Sequence, residues 1–174
     1  TDYTTEFAGL DFYKKYTGFN KTTLTGLDYL EGKTVTVLDG GLKLPSTYTV
    51  TSGSITIPST NNTVYVGLPY TATLAPLYLD ADGSMGSKKS VHHATIRFKD
   101  TLRAKVGQKE TGTYGENSVS VLDDVKFSST TTLNTEDAEV WLANHNEFLQ
   151  TIYIVSDSPQ PCTVLAMVVD VESV

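Results

Sequence analysis

The stretch GLDYLEGKTVTVLDGG at 26–41, followed by VTSGSITIPSTNNTVYVGLPY at 50–70, decides the fold. Val35, Val37, Val50, Ile55, Ile57, Val64 and Val66 alternate there with Thr, Ser or Tyr. That period of two turns one face of a strand into a core and the other outward. Gly40-Gly41, Ser52-Gly53-Ser54 and Asn61-Asn62 interrupt the alternation where the chain needs positive φ or side-chain caps to reverse. Gly67, ahead of Leu68-Pro69, reads the same way, as a turn position with positive φ. Local chemistry thus specifies a small β module, and no catalytic residue set lies inside it.

On the N-terminal side, residues 1–25 interleave Phe7, Phe12, Tyr13, Tyr16 and Phe19 with Lys14, Lys15 and Lys21. Gly9 and Gly18 restrict any helix there, and the segment is expected to lead an extended strand into the module. On the C-terminal side the pattern stays strand-like: Leu74 to Leu79, Val91 to Phe98, Leu102 to Val106, then Val119 to Phe127 after a loop at 107–118. Glu136 to Asn146 places Ala138, Trp141 and Leu142 at helical spacing, although an edge strand over Ala138 to Leu142 fits nearly as well. Phe148 to Ser156 and Cys162 to Val171 are the clearest strands, and their near-continuous apolar character predicts burial on both faces. Strands recurring every ~8–12 residues indicate an all-β fold, an antiparallel sandwich or barrel-like domain with a small inserted β module and at most one short helix. The expected parts are an entry segment (1–25), the β module (26–75) and a C-terminal β domain (76–174) with which the entry segment is free to pack.

The chain has 174 residues, enough for a substantial core, with 39% hydrophobic and 19% charged residues. No apolar run approaches the ~20 residues of a spanning helix, so no membrane insertion is expected. The absence of Met at Thr1 suggests a processed product or an excised fragment. A net charge of −7 argues against tight nucleic-acid binding, which needs clustered Lys and Arg. It suits a surface that DNA passes without sticking, or simply keeps the protein in solution.

Residues that could carry chemistry reduce to a few weak signals. Cys162 is the single cysteine and sits in an apolar run, which reads as a buried small hydrophobe rather than a nucleophile. His92-His93 is the tempting metal pair, but neighbours on a strand point to opposite faces, and a third ligand such as His145 would have to be folded in. Asp80-Ala81-Asp82-Gly83-Ser84 opens like a calcium loop, then places Met85 and Val91 where the EF-hand pattern needs Gly and Glu. Asp123-Asp124 and Glu136-Asp137-x-Glu139 offer paired carboxylates with nothing to place them in a cleft. No nucleotide-binding, hydrolase or metalloprotease motif occurs, and Gly112-x-x-Gly115 is only a flexible loop. The expectation is therefore no catalytic residues, no cofactor, no metal and no enzyme activity.

GLDYLEGKTVTVL at 26–38 and VGLPY at 66–70 are followed in order by a strand at Leu74 to Leu79, the Gly/Lys loop Gly86-Ser87-Lys88-Lys89 and the alternation Ala94-Thr95-Ile96-Arg97-Phe98. The Pro159-Gln160-Pro161 turn then leads into an apolar strand with the acidic finish Asp170-Val171-Glu172. This order and spacing resembles the C-terminal region of the tail nozzle proteins of short-tailed bacteriophages, also called tail tubular protein B. Complete members of that family are several times longer, so the chain would match their C-terminal portion or a smaller relative.

The resemblance implies a mechanical role in the virion, with assembly in the host cytoplasm. Copies would form a ring below the portal and adaptor, meet the adaptor and other tail proteins, retain packaged DNA and let it pass during ejection. Tyr65, Tyr70 and Tyr78 are candidate subunit contacts, with ordinary core packing as the plainer role for each. The alternative is a glycan- or receptor-binding β-sandwich of a virion or secreted protein, with exposed Tyr residues and Trp141 stacking on sugar rings.

Overall fold

A computed structural model describes residues 9–18, 22–58, 63–77, 89–108, 122–142 and 151–173. Their regular structure is nearly all strand and antiparallel throughout, as the alternation requires. Fourteen strands are described: β1 (Leu10–Thr17), β2 (Thr23–Thr25), β3 (Thr34–Asp39), β4 (Leu42–Lys43), β5 (Tyr48–Thr49), β6 (Ser54–Thr56), β7 (Thr63–Pro69), β8 (Ala72–Leu74), β9 (Lys89–Phe98), β10 (Lys105–Gln108), β11 (Asp123–Asp124), β12 (Asp137–Trp141), β13 (Ile152–Ser156) and β14 (Val164–Ser173). One 3-10 turn, Asp28–Leu30, is the only helical element among the described residues. The chain divides into two compact units, one of Thr1–Thr71 with Thr131–Leu133 and Asp157–Pro161, the other of Ala72–Thr130, Asn134–Ser156 and Cys162–Val174.

In the first unit β1, β7, β3 and β4 form a sheet in that order, with β5 also on β3, while β2 and β6 make a separate ribbon. Val35, Val37, Val64 and Val66 point from the sheet into a core completed by Leu24, Leu27, Leu30, Val50, Ile55 and Ile57. All seven Val and Ile residues of the alternating stretch are therefore buried together. Leu10, Leu38 and Tyr65 form a smaller cluster of their own. The entry strand belongs to this unit, since β1 pairs with β7 from Leu10↔Pro69 to Thr17↔Thr63.

The second unit is a sandwich. One sheet runs β11–β10–β13–β8 and the other β12–β9–β14. Val106, Ile152 and Ile154 from the first meet Ala94, Ile96, Phe98, Ala138 and Val140 from the second in one core. Phe98 packs edge-to-face on Phe127 at 5.1 Å.

Of the two readings of 136–146 the edge strand holds: Asp137–Trp141 is a strand that alternates exposed and buried, with Ala138 and Val140 turned inward, and lies at the edge of its sheet. Residues 143–150 of the proposed helix lie outside the described residues. The final strand is not buried on both faces: Leu165, Ala166, Val168 and Asp170 are exposed while Val164, Met167, Val169 and Val171 pack on the core. Strand β14 is an edge strand paired with β9, and its outward residues are exposed. Strand β13, between β10 and β8, does bury Ile152, Ile154 and Val155.

Candidate functional site

The residues of the GLDYLEGK block are devoted to holding a turn. Leu27 and Leu30 enter the core of the first unit, and the intervening 3-10 turn aims Glu31 at the 51–54 reversal. Both Glu31 carboxylate oxygens accept backbone N–H groups, Oε1 from Ser52 at 2.9 Å and Oε2 from Gly53 at 2.7 Å. Ser52 and Gly53 both have positive φ, and a side chain on Gly53 would run into the Asp28 carboxylate. Leu27 N–H closes the contact by donating to Gly53 C=O at 2.9 Å. Two segments far apart in sequence are thus joined by charge-assisted hydrogen bonds. Tyr16 adds another tie, its hydroxyl donating to Thr25 C=O at 2.9 Å. Burial, with Tyr29 nearby, pushes that hydroxyl's pKa up to about 12.

Gly67 serves packing rather than a turn. It lies inside β7 opposite Thr36 of β3, and it is absent from the residues with positive φ. An added Cβ would stand 2.8 Å from Asp11 C=O and 2.9 Å from Tyr13 Cβ. The glycine exists so that β1 can come close. At that approach β1 carries a bulge between Asp11 and Lys14, and within it Phe12 has φ of 49°. This left-handed conformation is costly for a bulky residue. Phe12 is nevertheless 74% exposed, pushed outward from an edge strand. Tyr13 beside it stacks edge-on against Tyr65 at 5.8 Å, and Lys15 lies 5.6 Å above the same ring.

The outer face of the β12–β9–β14 sheet is the second exposed feature. Its register aligns Trp141, His93 and Asp170 in one row, Glu139, Thr95 and Val168 in the next, and Asp137, Arg97 and Ala166 in a third. The Trp141 ring is 73% exposed and is backed by the His93 ring at 4.7 Å, tilted by 45°. His93 Nδ1 lies 3.2 Å from Asp170 Oδ2, which fixes the imidazole under the indole's edge of the sheet. Arg97 donates to Asp137 through Nε and Nη2, both at 2.7 Å. That bidentate bond holds the Asp137 carboxyl below the usual carboxylate range.

The remaining sequence candidates do not converge. His92 engages Ser90 Oγ at 3.0 Å and Glu172 Oε2 at 3.5 Å, partners different from those of His93. Among the described residues no three His, Cys, Asp or Glu side chains are grouped to hold a metal ion. His145, the Asp80–Ser84 loop, Tyr78, Asn61-Asn62 and Gly112–Gly115 lie outside the described residues. Asp123 and Asp124 are exposed on a short strand beside β10. Glu136 accepts from the Ser128 hydroxyl at 2.7 Å and its N–H at 2.8 Å, which lowers its pKa and ties a loop. Cys162 is half-buried against the second core, and burial pushes its thiol up, away from nucleophilic use. Tyr65 is core and Tyr70 is exposed. Sequence reasoning missed Phe12 and Glu31: nothing in the letters marks a Phe at positive φ, or a surface Glu as the clasp of a turn 22 residues away.

No family model matches the chain, and no curated protein matches it.

Proposed function

We propose that this chain is a structural subunit of a bacteriophage tail, a C-terminal nozzle-like region that assembles with its own copies and has no catalytic role. The observation that carries the reading is the fate of the two sequence blocks behind the resemblance. GLDYLEGK and VGLPY supply clasp, core and packing glycine to one module. Such use of sequence fits a part whose work is to hold shape under load. The net charge of −7 fits the same role, because an acidic lining repels phosphate and lets DNA slide. Partners on this reading are identical copies in a ring, the tail adaptor and other tail proteins, with DNA passing transiently.

The test is immunogold labelling of the particle that carries the chain, with antibody raised against residues 1–174. Gold at the distal end of a short tail is expected; particles that stay unlabelled contradict the proposal. A second reading, a glycan-binding module, draws on one observation, the 73% exposure of Trp141. Trp141 is the sole tryptophan, so its emission reports binding directly. A saturable shift on titration with neutral oligosaccharides would favour that reading over the first.

A further inference from the structure

The 51–54 reversal is closed by its own bonds. Thr51 N–H donates to Ser54 C=O at 3.0 Å, Ser54 N–H to Thr51 C=O at 3.1 Å, and the Ser54 hydroxyl to Thr51 C=O at 3.0 Å. The two central residues, Ser52 at φ 52° and Gly53 at φ 62°, are both left-handed, the pairing that closes a two-residue hairpin. Closing the turn in this way uses the N–H groups of Thr51 and Ser54 and leaves those of Ser52 and Gly53 for a partner outside it. Both go to one carboxylate, that of Glu31, with one N–H to each oxygen at 2.9 and 2.7 Å.

The place of the hairpin is also set without the Glu31 side chain. Leu27 N–H donates to Gly53 C=O at 2.9 Å, Gly32 N–H to Val50 C=O at 3.0 Å and Val50 N–H to Lys33 C=O at 3.0 Å. Val50 and Ile55, on either side of the turn, are buried in the core of the first unit. Successive N–H groups of a turn form a concavity for an anion, and here two donors meet the two oxygens of a carboxylate. Glu31 and Ser52 are exposed, so a shortened side chain at 31 would open the donors to solvent. The opposing charge is Asp28, whose carboxylate a Cβ on Gly53 would run into. Its repulsion keeps the affinity for a second anion low.

We propose that the Ser52–Gly53 turn is a carboxylate-binding site in its own right, with Glu31 as its tethered ligand and a small free carboxylate able to take that ligand's place. The 27–31 segment and the hairpin are then joined as ligand to site, not as two halves of one fixed loop. A tethered ligand is favoured over a free one by its effective concentration, so the site becomes open to solution only when the Glu31 side chain is shortened. The site stands whether or not the chain belongs to a phage tail.

The experiment uses all 174 residues, as wild type and as Glu31→Ala, titrated with sodium formate against sodium chloride at equal ionic strength. It reads the amide resonances of Ser52 and Gly53, and urea unfolding at the resonances of β3 and β7. In Glu31→Ala both amides should move saturably with formate, half-saturating between about 10 and about 50 mM, as two exposed charge-assisted bonds allow. At ten times the half-saturating concentration the folded-to-unfolded ratio should be about tenfold higher than in chloride, as one-site linkage requires. Wild type, whose site is filled, should show neither response. Glu31→Gln, whose side-chain carbonyl still accepts an N–H, takes the place of the alanine variant if that chain does not fold, and should respond at higher formate.

Ser52 and Gly53 amides that ignore formate in a folded variant overturn the site. So does equal stabilisation by formate and chloride, or the same formate response in wild type. Fast hydrogen exchange at the Ser54 amide of a folded variant also overturns it, because the turn would then owe its shape to Glu31. Two variants that fold in neither salt carry the same meaning.

Discussion

In the first unit, strand β3 buries five of its six residues; in the second, the edge strands β12 and β14 bury only alternate positions and leave Trp141 and Val168 in water. Both units are antiparallel and built from similar Val- and Thr-rich sequence. The difference lies in what their polar and glycine residues are used for. In the first unit Glu31, Gly53 and Gly67 serve internal closure, and Phe12 combines positive φ with an exposed ring. In the second, the polar residues of the open sheet pair with one another across its outer surface, as Arg97 with Asp137 and His93 with Asp170, while Trp141 and Val168 stay exposed on the two edge strands. A closed frame and an open sheet thus put their polar residues to different uses, and the comparison can be broken at several points.

The largest expected effect is in the sandwich core. Phe98 is completely buried and stacked on Phe127, so Phe98→Ala should destabilise the second unit by about 4 kcal/mol through lost burial and a cavity. Hydrogen exchange should rise in β9, β10 and β13 and stay near wild type in β3 and β7; equal rises in all five would show that the two units do not open separately.

Gly67→Val reverses the comparison. Three added methyl-sized groups would collide with the Asp11 carbonyl and Tyr13 at the β1 bulge, which should cost about 3 kcal/mol and raise exchange in β1 and β7. An unchanged melting temperature would mean that β1 can move away freely and that its bulge is not enforced. Glu31→Ala should cost about 2 kcal/mol, because two backbone N–H groups of the 51–54 turn lose a charged acceptor. Urea unfolding checks this, and Glu31→Gln should recover part of the loss.

The smallest effect is pH dependence on the open sheet. Hydrogen bonding from Arg97 lowers Asp137, and hydrogen bonding from Ser128 lowers Glu136, so both folded-state pKa values lie below the unfolded ones. Their stabilisation is present above the unfolded values and lost as pH falls through the lower folded ones. Asp137 is exposed and Glu136 partly so, and solvent screens both, so the drop in urea midpoint should be slight and should flatten in Asp137→Asn. A midpoint that rises on acidification would contradict the sign.

The core of the first unit was legible because its strands alternate strictly, from Val35 to Val66, and every apolar residue of that set went inward. Legibility failed where a contact decides the role. Ala138, Trp141 and Leu142 left a helix and an edge strand equally open in one dimension, and the strand is what lets Ala138 and Val140 reach the sandwich core. The apolar run 162–171 suggested two covered faces; at a sheet edge one of them stays open. Gly67 looked like a turn residue beside Pro69, while its actual constraint is a neighbouring strand 50 or more positions away in sequence. Phe12 carries no sequence signal, since strain depends on the bulge that the β1–β7 register creates.

The most direct measurement is a density map of the chain in its native assembly. The account predicts identical copies arranged around a tail axis. A solitary copy would contradict it.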